Sequence, residues 1–213
     1  MNSSALTKAF IDAFPFEPTD AQEEALQAMA SFFNDESDEA VFVLKGYAGT
    51  GKTTIIGALV KSIAKLRYKT VLMAPTGRAA KVMAAYAKRS ACTIHKRIYF
   101  TQQERQGNLK FKLQKNKFKR TLFLVDEASM IANQQQQSKL FENGSLLHDL
   151  IEYVRAGEEC KLMFVGDTAQ LPPVHTSLSP ALDLNVLSLD YNLNPQEVCL
   201  LYTSDAADET CRV

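Results

Sequence analysis

Neither sign of charge prevails in this chain: its 213 residues carry 24 Lys and Arg against 24 Asp and Glu. The overall field therefore does not draw it to nucleic acid or to an anionic surface, and any patch built for phosphates must be local. No apolar run approaches the roughly 20 residues that a membrane-spanning helix requires, so no membrane partner is expected. The opening stretch, MNSSALTKAFIDAF, lacks the apolar region and cleavage pattern of a secretory signal. The four cysteines (Cys92, Cys160, Cys199 and Cys211) show no CxxC spacing. The expectation is a reduced, cytoplasmic chain with neither a metal nor a disulfide framework. No internal repeat is visible. What remains is ordinary globular composition, 46% hydrophobic and 23% charged, and enough length for one well-buried domain.

Against these absences stands a regular alternation. EPTDAQEEALQAMASFF (Glu17 to Phe33) has apolar residues at helical spacing, with Thr19 or Asp20 as the N-cap. The acidic loop NDESDE follows, and then AVFVLK reads as a strand buried on both faces. Lys52 to Leu66 suits a helix, KTVLMA (Lys69 to Ala74) a strand, and the alanine-rich Gly77 to Ala87 a helix. TLFLVDEA (Thr121 to Ala128) is a third strand ending in carboxylates, Leu146 to Ala156 a helix, and KLMFVGD (Lys161 to Asp167) a fourth strand. Strands alternating with helices predict an α/β fold with a mostly parallel sheet and helices on both faces. The stretch from Lys96 to Arg120 breaks the alternation, with nine Lys or Arg and one acid, Glu104. Within it NLKFKLQ alternates as a strand or hairpin arm would. It is either a solvated excursion or a local contact surface for phosphates.

The glycines cluster where the chemistry is. Gly46, Gly51, Lys52 and Thr53 complete G-x-x-x-x-G-K-T, between a strand and a helix. A loop that wraps a phosphate must turn several backbone N–H groups inward, at φ values and distances that a Cβ obstructs. The stretch Gly46, Ala48, Gly49, Thr50, Gly51, Lys52, Thr53 and Thr54 is therefore expected to cradle a nucleotide. Lys52 would meet the β- and γ-phosphates, the helix N-terminus would add its dipole, and the Thr53 hydroxyl would ligate Mg²⁺. Hydrolysis also needs acids at the end of a neighbouring strand. Asp126 is expected to hold Mg²⁺ through water, and Glu127 to position and deprotonate the attacking water. In isolation the two acids would read as a solvent-facing strand end. A third element follows the fourth strand: Gly166, Asp167 and Gln170 precede Leu171-Pro172-Pro173-Val174. Gln170 is placed to sense the γ-phosphate; a proline-rich turn alone would explain the prolines but not that spacing. A GTPase would carry N/T-K-x-D and a nucleoside kinase an arginine-rich lid, and neither is evident.

Taken together, GYAGTGKTT, APTGRAAKV, TIHK, VDEASM and GDTAQLPPV resemble, in order and approximate spacing, the motifs of superfamily 1 DNA helicases. They are most similar to the RecD-like and Dda-like branch, over roughly Phe14 to Val198. The resemblance implies a P-loop NTPase of RecA-like fold, a first motor domain that binds ATP–Mg²⁺ and one face of single-stranded DNA, moving 5′ to 3′. It further implies that Gln22 reads the adenine edge, that Thr76 and Arg78 contact the DNA backbone, and that Thr93 and His95 do the same. By themselves these five residues read only as polar groups on helices. The division that follows is a helical segment over 1–36 carrying Gln22, a motor domain over 37–198 with its basic excursion at 96–120, and a remainder at 199–213.

That remainder departs from the family. CLLYTSDAADE, at the start of 199–213, resembles read-through of a transposon-end sequencing adapter and is expected to be foreign to the protein. In the family, arginines from a second motor domain stabilise charge on the transferred phosphoryl group, a contribution worth ~10³–10⁵ in turnover in related chemistry. The alternative expectation for this chain alone is thus a nucleotide- and DNA-binding module without useful turnover. Association with nuclease or repair subunits is left open.

Overall fold

The computed structural model describes residues 3–103, 109–132, 145–170 and 178–200. The Leu171-Pro172-Pro173-Val174 turn and residues 201–213 of the expected foreign tail lie outside them. Six strands form one wholly parallel sheet: β1 (Ala40–Gly46), β2 (Lys69–Ala74), β3 (Ala91–Thr93), β6 (Lys119–Val125), β7 (Glu158–Gly166) and β8 (Asn194–Leu200), in the order β3-β2-β6-β7-β1-β8. The remaining two, β4 (Tyr99–Gln103) and β5 (Leu109–Leu113), pair antiparallel as a separate hairpin.

Strand alternation divides the core into two layers. Phe42, Leu44, Leu122, Leu124, Met163 and Val165 face one side with the buried stripes of α1 (Ser3–Ile11), α2 (Asp20–Asn34), α3 (Lys52–Lys65) and α4 (Gly77–Ala87). Val41, Val43, Phe123, Val125, Leu162 and Phe164 face the other, against α5 (Ile94–Ile98), α6 (Leu146–Arg155) and α7 (Leu184–Leu189). Because both faces are covered, the central strands read as continuous apolar runs. This is the expected α/β arrangement with helices on both faces.

Local chemistry sets the element ends. Thr19 caps α2 in a capping box with Gln22: the Gln22 N–H donates to Thr19 Oγ1 and the Thr19 N–H to Gln22 Oε1. Strand β6 stops at Val125 rather than at Ala128, because Glu127 takes a left-handed φ of 55° and opens a single 3₁₀ turn, Ala128–Met130. The two acids therefore stand just beyond the strand, not inside it. At the far edge β8 runs through Val198 to Leu200, in register with β1 from Ala40↔Asn194 to Gly46↔Leu200. Lys45 and Glu197 form an ion pair of 2.5 Å across that edge. Leu200 is 1% exposed, so the sheet takes in Cys199 and Leu200 as ordinary strand residues. Cys199 is disulfide-bonded, which corrects the expectation of a chain without disulfides, while Cys92 and Cys160 are free thiols.

The basic excursion supplies both the hairpin and part of the sheet. Phe100 pairs opposite Lys112 in the hairpin and is exposed. Among the described residues, cations of the excursion engaged within the fold include Lys119, which pairs with Glu158, Arg120, 3.3 Å from Glu159, and Arg97, stacked 5.6 Å from the Phe118 ring. Among the described residues, no helix is long and apolar enough to cross a membrane.

Candidate nucleotide site

Ala48, Gly49, Gly51, Lys52, Thr53, Thr54, Asp126, Glu127, Gly166, Asp167 and Gln170 line one cleft of about 350 Å³ at the C-terminal ends of β1, β6 and β7. A ligand site at that end is what an open α/β sheet provides. A larger cavity, about 540 Å³, lies at the opposite strand ends between Leu6, Tyr68, Arg120 and Lys161. It shares no residue with the cleft and gathers none of the motif residues, so size does not select the site here.

The loop is built by its glycines. Gly49 and Gly51 have φ of 86° and 91°, in the region that L side chains avoid. A Cβ on Gly46 would stand 2.7 Å from Thr50 Oγ1 and 3.0 Å from the Leu200 backbone oxygen. Thr50 closes the loop on itself, donating from Oγ1 to the Tyr47 carbonyl at 2.9 Å. Gly51 caps α3 without any side-chain bond to its first N–H groups, which leaves that helix end to an anion. Lys52 Nζ donates to the Gly46 and Tyr47 carbonyls at 2.6 and 2.7 Å. Burial lowers its pKa, and Asp167, Asp126 and Glu127 pull it back up. The ammonium thus hangs inside its own loop, under the influence of three carboxylates.

Asp126 is fixed at both oxygens. Oδ1 accepts from the Glu127 N–H at 2.9 Å, and Oδ2 accepts from the Tyr86 hydroxyl at 2.6 Å. Glu127 is half-buried. Burial first, then the neighbouring Asp126, hold its pKa above the ordinary glutamate range, while the Gln170 hydrogen bond and Lys52 act the other way. Gln170 is held in turn by Ser129, whose hydroxyl donates to its Oε1 at 3.2 Å. Asp167 is 5% exposed and accepts from the Ala169 N–H. The 3₁₀ turn carrying Ser129 is anchored by Ser179, whose Oγ lies 2.7 Å from the Ala128 carbonyl and 2.8 Å from that of Ile131.

The donor set fits a magnesium nucleotide. The cleft lining combines the uncapped helix amides and the Lys52 ammonium, suited to phosphate oxygens, with Thr53 and the carboxylates of Asp126, Glu127 and Asp167, the hard oxygen ligands Mg²⁺ takes. Gln22 lies at the rim. Its Nε2 donates to the Thr50 carbonyl at 3.3 Å while its Oε1 serves the helix cap. The residue expected to read adenine is thus tied to the phosphate loop.

The expected DNA-contacting residues lie apart from this cleft, at the β2–β3 edge. Thr76 caps α4 and Thr93 caps α5, each hydroxyl accepting an N–H at 3.2 Å. A capping hydroxyl still has its own proton to donate to a phosphate. Register places Ala74 beside Thr93, so both caps lie at the C-terminal end of the neighbouring strands β2 and β3. Arg78 is exposed in the first turn of α4. His95 is half-buried, 5.9 Å from the Tyr99 ring, and burial lowers its pKa. Sequence reasoning missed Tyr86, a lone tyrosine on an alanine-rich helix with no spacing to mark it. It also assigned no role to Asp167 and Ser129, although both stand within motifs that were already visible.

A parallel sheet with a glycine loop, a helix-borne Lys-Thr pair and strand-end acids defines the P-loop nucleotide-binding class. A family model described as "AAA domain" matches residues 27–176. Among curated proteins, the ATP-dependent RecD2 DNA helicase of Deinococcus radiodurans is 30% identical over 161 residues, covering 76% of this chain and 20% of that protein. An uncharacterized protein of Methanocaldococcus jannaschii is 33% identical over 179 residues, 76% of this chain and 13% of its own length. The crystal structure of Pif1 helicase from Candida albicans shares the fold, with a TM-score of 0.52, 19% identity, and coverage of 92% of this chain and 42% of that one. The chain belongs to the AAA domain family, as a superfamily 1 helicase motor domain. It spans a fifth or less of the length of these curated relatives.

Proposed function

We propose that this domain binds ATP with Mg²⁺ and single-stranded DNA, as the first motor domain of an ATP-dependent DNA helicase of the RecD-like, 5′-to-3′ type. The observation that carries the reading is the meeting of Lys52, Thr53, Asp126, Glu127 and Gln170 in one cleft, although they come from three separate strand ends. Lys52 would leave the loop carbonyls for the β- and γ-phosphates, an exchange of neutral acceptors for charged ones. Glu127, with its raised pKa, is suited to take a proton from the attacking water. Gln170 bridges Ser129 and Glu127 and would register loss of the γ-phosphate. Bound Mg²⁺ would neutralise charge on the phosphate oxygens, with Thr53 and Asp126 as the residues that hold it. The caps at Thr76 and Thr93, together with Arg78 and His95, form the DNA-facing edge. The β4–β5 hairpin, with Phe100 exposed beside Lys112, is a further contact or a pin.

Among the described residues lining the cleft, Lys52 is the lone cation. Turnover by this chain alone is therefore expected to be slow, and the coupling of hydrolysis to translocation belongs to the longer protein. Calorimetric titration of the 213-residue chain with Mg²⁺ and a non-hydrolysable ATP analogue tests the reading. Binding that is lost in Lys52→Ala supports it; equal binding by both proteins refutes the assignment of the cradle.

A further inference from the structure

Asp126 and Tyr86 lie 40 positions apart in sequence and are joined by a hydrogen bond of 2.6 Å. Tyr86 sits in the last turn of α4, partly buried against the layer that includes Ile55 and Ile56 of α3. Its hydroxyl is the donor in this bond and Asp126 Oδ2 the acceptor. Asp126 Oδ1 is occupied by the Glu127 N–H. With Oδ2 held by the phenol, the carboxylate cannot rotate, and its remaining lone pairs are fixed relative to the cleft.

We infer that Tyr86 is a positioning residue for the metal-holding carboxylate and links α4 mechanically to the metal site. The inference rests on the magnesium-nucleotide reading above. Helix α4 is pinned to the sheet by Ala80 and Met83, both buried. Its first turn carries Thr76 and Arg78, and its last turn carries Tyr86. A rigid helix of 11 residues cannot shift at one end without carrying the other. A strand pressing on Thr76 and Arg78 would therefore alter the hold on Asp126. This gives DNA a route to the metal that passes through no residue of the phosphate loop.

The test is a Mg²⁺ titration of the full chain, monitored by binding of a fluorescent ADP analogue, with wild type and Tyr86→Phe compared. Phenylalanine keeps the ring in the core and removes only the donor. Partners that orient a metal's ligands are worth about 10–100-fold in metal affinity. The Mg²⁺ midpoint is expected to rise about tenfold in Tyr86→Phe, while binding of the analogue in EDTA stays the same. In an Asp126→Asn background the Tyr86→Phe change is expected to add nothing. An unchanged midpoint in Tyr86→Phe, or an equal rise in the Asp126→Asn background, overturns the positioning role. Oligothymidylate is expected to shift the wild-type midpoint and not that of Tyr86→Phe; an equal shift in both, or none in either, overturns the link through α4. Wild-type binding without any Mg²⁺ dependence would overturn the metal reading of Thr53 and Asp126, and this inference with it.

Discussion

Replacing Gly51 with alanine isolates what the glycine loop does. At φ 91° an L residue is strained by about 1–2 kcal/mol. The new Cβ would also collide with Gln22 Nε2. That amide is the end of a flexible side chain and can swing aside, but it then gives up its bond to the Thr50 carbonyl, worth about 0.5–1.5 kcal/mol. The sum is roughly 1.5–3.5 kcal/mol. For a domain of this size it lowers the melting temperature by roughly 3–14 °C. Gly57 is the matched control: it lies inside α3, a Cβ there meets nothing within 4 Å, and it carries no positive φ. Gly57→Ala is expected to stabilise by about 0.4–1 kcal/mol, because alanine has less chain entropy to lose. The assay is thermal unfolding of both variants with and without Mg²⁺ and ADP. A ligand at a hundred times its Kd adds about 2.7 kcal/mol to the wild type; Gly57→Ala should keep that gain and Gly51→Ala should lose most of it. If Gly51→Ala melts with the wild type and gains as much from nucleotide, the loop geometry does not govern binding and the reasoning fails.

Glu127→Gln is expected to keep nucleotide affinity while reducing hydrolysis by about 10²–10⁴-fold; a parallel loss of both would mark a structural role. Because the folded state holds the Glu127 proton to higher pH than the unfolded chain does, the sign of its linkage is negative: stability falls as pH rises through that window, and Glu127→Gln removes the fall. Hydrolysis, which needs the ionised base, should decline on acidification at a pH above the ordinary glutamate range; a rate profile identical in wild type and Glu127→Gln would contradict this. Tyr99→Phe removes the hydroxyl that donates at 2.5 Å to Asp149, itself 0% exposed. It should cost about 1.5–3 kcal/mol in urea unfolding, and a loss below ~0.5 kcal/mol would show that Asp149 does not depend on it.

Much of this was legible in the chain because the relevant physics is local. The apolar run at 41–44 and the helix spacing of 77–87 gave β1 and α4 their places, and the G-x-x-x-x-G-K-T stretch carried its own turn, cation and hydroxyl. The misses share a cause. β3 is three residues long, too short to show a period. β8, NPQEVCL, lies at the sheet edge with mostly half-buried side chains, so it has a proline and polar residues where a central strand would be apolar. Strand β6 ends three residues short of the expected Ala128 because the left-handed backbone at Glu127 has no glycine to announce it.

The sequence by itself determined the nucleotide loop, the identity of the acids and the class of sheet, since each is written in residues within a turn or a strand of one another. Only the tertiary structure decided which distant groups complete them: Tyr86 on Asp126, Ser129 on Gln170, Gln22 on Thr50 and Ser179 beneath the 3₁₀ turn. Those pairings are separated by 28 to 51 positions. The order β3-β2-β6-β7-β1-β8 brings their elements together, and no periodicity along the chain encodes that order.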